Sequence, residues 1–114
     1  MSREYSPDNW ILLKIENDGK TFFKILGGWR GGYLHGDSWR MSSIVESIEE
    51  DDRNYIFHNY SGSKYICNKQ REGLSMVTSG VFSDFVNQVN EAGGKIDMSN
   101  VEDFVPMEKD DEEK

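Results

Sequence analysis

The chain has 114 residues, 30% of them charged, with 21 acids against 13 bases for a formal net charge of −8. That length argues for one domain with a modest core, which removes roughly two-thirds of the unfolded surface from water. The single cysteine, Cys67, excludes an intramolecular disulfide and fits a reducing compartment. No apolar run approaches the ~20 residues of a membrane helix, and the polar start MSREYSPDNW does not read as a signal peptide, so the expected location is the cytoplasm.

Residues 1–9 read as a flexible lead-in, with Pro7 opposing regular structure. Trp10–Glu16 reads as a first strand. Ile11, Leu13 and Ile15 share an apolar face, while Trp10, Leu12 and Lys14 share a mixed one, so one face is expected to meet the core. Asn17–Lys20 is a turn in which Asp18-Gly19 supplies the positive φ angles of a type I′ hairpin. Thr21–Leu26 returns as a second strand.

The stretch Gly27–Ser43 follows, read as a glycine-rich connection. Trp39–Glu49 reads as a third strand with a bulge near Ser42-Ser43. Glu49–Asp52 is an acidic turn, read as a solvated connection and not a metal site, because four consecutive acids cannot all face one ion. Arg53–Tyr60 is a fourth strand, Ser61-Gly62-Ser63 a tight turn, and Lys64–Asn68 a fifth strand. Asn68–Val77 fits either a loop or an extension of the sheet.

Ser79–Ala92 reads as a helix, with Val81, Phe82, Phe85, Val86, Val89 and Ala92 on one stripe. Thr78 or Ser79 serves as its cap, and Gly93-Gly94 ends it. Lys95–Met98 fits a short last strand, and Asn100–Phe104 is expected to pack on the body. Residues 107–114 read as a disordered acidic tail without apolar partners. The expected fold is therefore α+β: an antiparallel meander of about five strands packed with one C-terminal amphipathic helix, spanning residues 10–106.

Gly27–Ser43 concentrates the unusual residues. It holds five of the eleven glycines, two of the three tryptophans and one of the two histidines. Arg30 and Arg40 offer planar donor forks for phosphate or carboxylate. Trp29, Tyr33 and Trp39 offer flat faces for a base or a partner side chain. Asp37 and Ser38 complete the candidate binding set. If the Ser61–Ser63 turn lies beside this stretch, the ingredients of a nucleotide pocket converge. The opposing reading is an ordinary bend plugged by tryptophan, with Arg40 paired to one of the body acids. GGWRGG lacks the lysine and hydroxyl residue of a P-loop, and a strand rather than a helix follows it, unlike a dinucleotide fingerprint.

No catalytic residue is assigned. His35 with Asp37 is too little for catalysis, and no turn-plus-helix element presents Cys67 to His58 as a nucleophile. Two histidines and one cysteine, far apart in the chain, do not make a zinc site, and no cofactor is expected. Acid excess argues against direct nucleic-acid binding. It permits mimicry of a phosphate backbone, although the body acids cluster at Glu49–Asp52 and the tail carries much of the imbalance. Exposed strand edges permit a homodimer.

The run FFKILGGWRGGYLHGDSWRMSSIVESIEED followed by YIFHNYSGSKYIC resembles small acidic proteins encoded by tailed bacteriophages, over roughly residues 10–67. The resemblance carries no catalytic assignment. It implies a setting, the cytoplasm of a bacterial host, and a mode of action, stoichiometric binding that blocks a host defence factor. The partner is then a host protein or, in the alternative, a nucleotide signal that the chain sequesters.

Overall fold

The computed structural model describes residues 3–31 and 36–107. In chain order its strands are β1 Glu4–Tyr5, β2 Asn9–Asn17, β3 Lys20–Trp29, β4 Ser38–Met41, β5 Val45–Glu50, β6 Asn54–Asn59 and β7 Lys64–Asn68; helix α1 Met76–Glu91 and strand β8 Lys95–Ser99 complete the set. Short 3₁₀ turns occupy Lys69–Arg71 and Val101–Asp103. The class is α+β, but the single meander of about five strands is corrected. The described residues form two four-stranded sheets, ordered β1-β7-β6-β5 and β4-β3-β2-β8. All pairings are antiparallel except β1 with β7. The short last strand expected at Lys95–Met98 follows the helix as β8 and pairs with β2.

The two sheets and α1 stack as three layers, with the β4-β3-β2-β8 sheet in the middle. Between the sheets lie Trp10, Leu12, Phe23, Ile25, Val45, Phe57, Tyr65 and Cys67. Between the middle sheet and the helix lie Ile11, Leu13, Ile15, Leu26 and Ile96, against Phe82, Phe85, Val86 and Val89 of α1. Strand β2 is thus covered on both faces, which corrects the one-sided reading and explains its unbroken Trp10–Leu13 run. Each such side chain stabilises the fold by roughly 1.5–3 kcal/mol when fully buried.

The β2–β3 hairpin turns at Asp18 (φ 52°) and Gly19 (φ 74°), the two left-handed positions that a type I′ turn requires. The β4–β5 segment departs from expectation. The sequence reads one bulged strand there; instead the chain changes sheets at Ser42. The Ser42 backbone N–H donates to the Ile25 carbonyl at 2.8 Å, and the Ile25 N–H donates to Ser42 Oγ at 2.8 Å. The hydroxyl takes the place of the next backbone acceptor, so β4 can stop pairing there and the chain can cross to the other sheet.

The lead-in also carries structure. Lys64 N–H donates to the Arg3 carbonyl, Asp8 N–H donates to the Gly28 carbonyl, and Pro7 is buried against Gly27. Helix α1 begins earlier than Thr78 or Ser79. Ser75 is its cap, accepting from Thr78 N–H at 3.2 Å while the Thr78 hydroxyl accepts from Ser75 N–H at 2.7 Å. The acidic tail beyond Met107 lies outside the described residues.

Candidate functional site

Gly27 and Gly28 are strand residues, not part of a phosphate-cradling loop. A side chain at Gly27 would meet Pro7 Cβ at 3.0 Å, and one at Gly28 would meet the Asn9 side chain and Thr78 Cγ2, the latter at 2.9 Å. Both glycines let other segments close onto β3. Trp29 follows them at the strand end, half-buried against the inter-sheet core. Its indole Nε1–H donates to the Ser6 carbonyl at 3.1 Å, and its ring meets Tyr5 edge-on at 6.3 Å. Arg30 is exposed, and its backbone N–H donates to Asp8 Oδ2 at 2.8 Å. Asp37 and Ser38 are exposed. Tyr33 and His35 lie outside the described residues.

Strand β4 then sorts its side chains by alternation. Trp39 is 48% exposed and borders a groove with Met41, Val81, Asp84, Phe85 and Gln88, on the helix side of the middle sheet. Arg40 projects the other way. Its guanidinium carbon lies 4.6 Å above the Tyr5 ring centroid, and Tyr5 in turn packs on Tyr65 at 5.0 Å. The sequence treats Trp39 and Arg40 as one surface; the pleat assigns them to two.

On the Arg40 side the sheets part into a cleft of about 270 Å³, lined by Arg3, Tyr5, Arg40, Met41, Ser42, Ser43, Ser61, Ser63 and Tyr65. The sequence asks whether the Ser61–Ser63 turn reaches this stretch, and it does. Ser43 Oγ donates to Ser61 Oγ at 3.0 Å, Ser61 N–H donates to Ser43 Oγ at 3.1 Å, and Ser61 Oγ lies 3.0 Å from Ser63 Oγ. Asn59 Nδ2–H donates to Ser63 Oγ from behind at 3.0 Å. The sheet switch at Ser42 is what brings Ser43 to the β6–β7 turn.

Among the described residues the lining holds cations and hydroxyls but no carboxylate. In a chain of net charge −8, that is a local reversal of field. The salt bridges among the described residues use Lys14, His58, Lys64 and Lys69, and neither Arg3 nor Arg40 takes part in one. The serine relay has three hydroxyl protons and two hydroxyl–hydroxyl contacts, whichever way the Ser61–Ser63 contact points. One O–H therefore has no acceptor within the relay.

At the cleft floor Tyr65 is 1% exposed, and among the described residues its hydroxyl meets no acceptor, while the Arg40 guanidinium lies beside it. Burial pushes its phenol up to about 12, while the Arg40 guanidinium pulls the other way, so it stays a neutral donor at physiological pH. The arginines, the serine hydroxyls and the Tyr65 phenol line the cleft as donors.

Arg3, Tyr5 and Tyr65 are site residues that sequence reasoning missed. Tyr5 reaches the cleft only because β1 pairs in parallel with β7, placing Tyr5 opposite Tyr65. No local pattern signals that pairing. Arg30, conversely, does not line the cleft, so Arg3 takes the place assigned to it.

The remaining chemistry resolves into structural roles. Cys67 is buried in the inter-sheet core, and that burial raises its thiol well above the usual range. His58 belongs to the opposite face of the β6–β7 pair, bonded to Glu49 Oε1 at 2.8 Å. Glu50 pairs with Lys69. Asp51 accepts from the Arg53 and Asn54 N–H groups, which hold its carboxyl below the usual range. Among the described residues no three His, Cys, Asp or Glu side chains gather as metal ligands, and no helix is long and apolar enough to cross a membrane. No protein-family model, curated protein or solved structure matches the chain.

Proposed function

We propose that this chain is a non-enzymatic binding protein that sequesters a phosphate-bearing nucleotide in the Arg3/Arg40 cleft. One observation carries the reading: Arg3, Arg40, a serine relay and a buried phenol line one cleft, with no carboxylate among them in the described residues. Arginine forks and hydroxyls are suited to phosphate oxygens. Stacking on Tyr5 holds Arg40 in place at the cleft. Among the described residues His58 is bonded to Glu49 and Cys67 is buried in the core, so neither lines the cleft. Stoichiometric capture, as the phage resemblance implies, fits this better than turnover.

A thermal-shift panel of linear and cyclic nucleotides tests the reading. At a hundredfold excess over Kd a bound nucleotide stabilises by about 2.7 kcal/mol, which raises Tm by several degrees in a domain of this size. The shift should vanish in Arg40→Ala. A panel in which nothing moves the melting curve would refute the proposal.

A second reading rests on Trp39. Its exposure beside Met41, Val81 and Phe85 gives an aromatic on an apolar groove, the kind of residue that anchors protein interfaces. In that reading the chain blocks a host protein by direct contact. Affinity capture from a bacterial lysate should then retain one protein, lost with Trp39→Ala and kept with Arg40→Ala. Capture indifferent to Trp39→Ala would count against it. Mimicry of nucleic acid is weakened by the engagement of Glu49, Glu50 and Asp51 with His58, Lys69 and backbone N–H groups.

A further inference from the structure

Resting on the nucleotide-capture reading, we infer that the cleft grips the ligand end-on by a terminal phosphomonoester, and that the Tyr65 hydroxyl is the donor that reads it. At about 270 Å³ the cleft is slightly smaller than the ~300 Å³ lower bound of ordinary small-molecule pockets. It takes part of a nucleotide and leaves the base outside. Its lining comes from three directions: Arg3 just before β1 and Arg40 on β4, the serines from the β4–β5 and β6–β7 connections, and Tyr65 from the floor.

A monoester matches this arrangement in charge and in shape. It carries close to two negative charges at neutral pH, with a second pKa near ~6, against two guanidinium charges. It also presents three terminal oxygens on one end. A phosphodiester carries one charge and two such oxygens, and its two ester substituents keep the phosphorus from entering a closed floor. Cyclic 3′,5′ and linear 5′ nucleotides of the same base therefore separate the two cases.

The floor gives the sharpest discriminator. Tyr65 is buried, and among the described residues its hydroxyl has no hydrogen-bond acceptor. A buried donor without an acceptor is costly, and a phosphate oxygen seated on the floor supplies the acceptor. Removing the hydroxyl should consequently leave the empty protein as stable as before, or more so, while weakening the ligand. A residue with a merely structural role would show the opposite pattern, lower stability with binding tracking the loss of fold.

The test is isothermal titration of the full chain at low salt with adenosine 5′-monophosphate, adenosine 3′,5′-cyclic monophosphate, adenosine and inorganic phosphate. Wild type should bind the 5′-monophosphate at least about tenfold tighter than the cyclic form, a preference of the size expected for one charge-assisted contact. Adenosine should not bind. Inorganic phosphate should compete for the same site, which identifies the phosphate as the part gripped; competition as strong as the 5′-monophosphate would name free phosphate as the ligand source. Tyr65→Phe should keep or raise Tm and lose about tenfold in 5′-monophosphate affinity. A cyclic nucleotide that binds as tightly as the 5′-monophosphate, or a Tyr65→Phe variant with unchanged affinity, overturns this inference while leaving nucleotide capture standing. Absence of binding by both nucleotides overturns both.

Discussion

At the scale of single residues, Ser42 and Tyr65 decide most. Ser42 is 4% exposed and its Oγ both accepts from Ile25 N–H and donates to the Ser43 carbonyl. Ser42→Ala leaves the Ile25 N–H buried without a partner, which costs about 1–3 kcal/mol. Chemical denaturation should show that loss as a lower midpoint with an unchanged slope. Tyr65 ties stability to alkaline pH. Burial raises its phenol from the ordinary 10.0 to about 12, so the folded state holds the proton after the unfolded state has released it. Stability from this group is complete below about pH 10 and is lost as pH rises toward 12. Urea denaturation of wild type and Tyr65→Phe between pH 9 and 11.5 isolates the contribution: the wild-type curve should fall more steeply, and parallel curves would contradict the assignment.

At the scale of elements, local pattern and long-range pairing part company. Asp18-Gly19 marks the β2–β3 hairpin because both residues must take positive φ, and that demand is visible in residue type alone. The α1 stripe from Val81 to Val89 is equally visible, since helical spacing lays those side chains on the middle sheet. What stayed hidden was non-local. The pattern from Trp39 to Glu49 reads as one bulged strand because a serine that substitutes for a backbone acceptor looks like any polar residue in a strand. The start of α1 differs from the sequence reading for a similar reason: Ser75, Thr78 and Ser79 are all competent caps, and tertiary packing of Thr78 against Gly28 favours Ser75. The Asn9 amide fits the same junction, within 3.1 Å of the Gly28 carbonyl and 3.0 Å of Ser75 N–H. Ser75→Ala removes one cap and should cost about 1 kcal/mol, with fraying of the first turn of α1 detected as faster amide exchange at Val77–Ser79. Unchanged exchange there would mean that the Asn9 contact carries the junction.

At the scale of the molecule, the candidate surface of the sequence divides between two faces. Convergence of Arg40 with the Ser61–Ser63 turn was legible as a condition, because both carry the chemistry that phosphate needs. The other half of the cleft was not: Arg3 and Tyr5 arrive through a two-residue parallel pairing with β7 that no periodicity announces. Tyr65 reads as an ordinary strand tyrosine until its hydroxyl is found without an acceptor among the described residues. Trp39 and Arg40 are neighbours in sequence and opposites in space, and that separation makes the two functional readings independently testable. The central claim is that the donor-lined cleft, not the Trp39 groove, is the binding site. Two-dimensional ¹H–¹⁵N NMR of the labelled chain during titration with adenosine 5′-monophosphate tests it most directly. Saturable shifts should centre on the amides of Arg40–Ser43 and Ser61–Tyr65, with Val81, Asp84 and Phe85 unmoved. Shifts confined to that second group, or no saturable shift at any amide, would contradict the account.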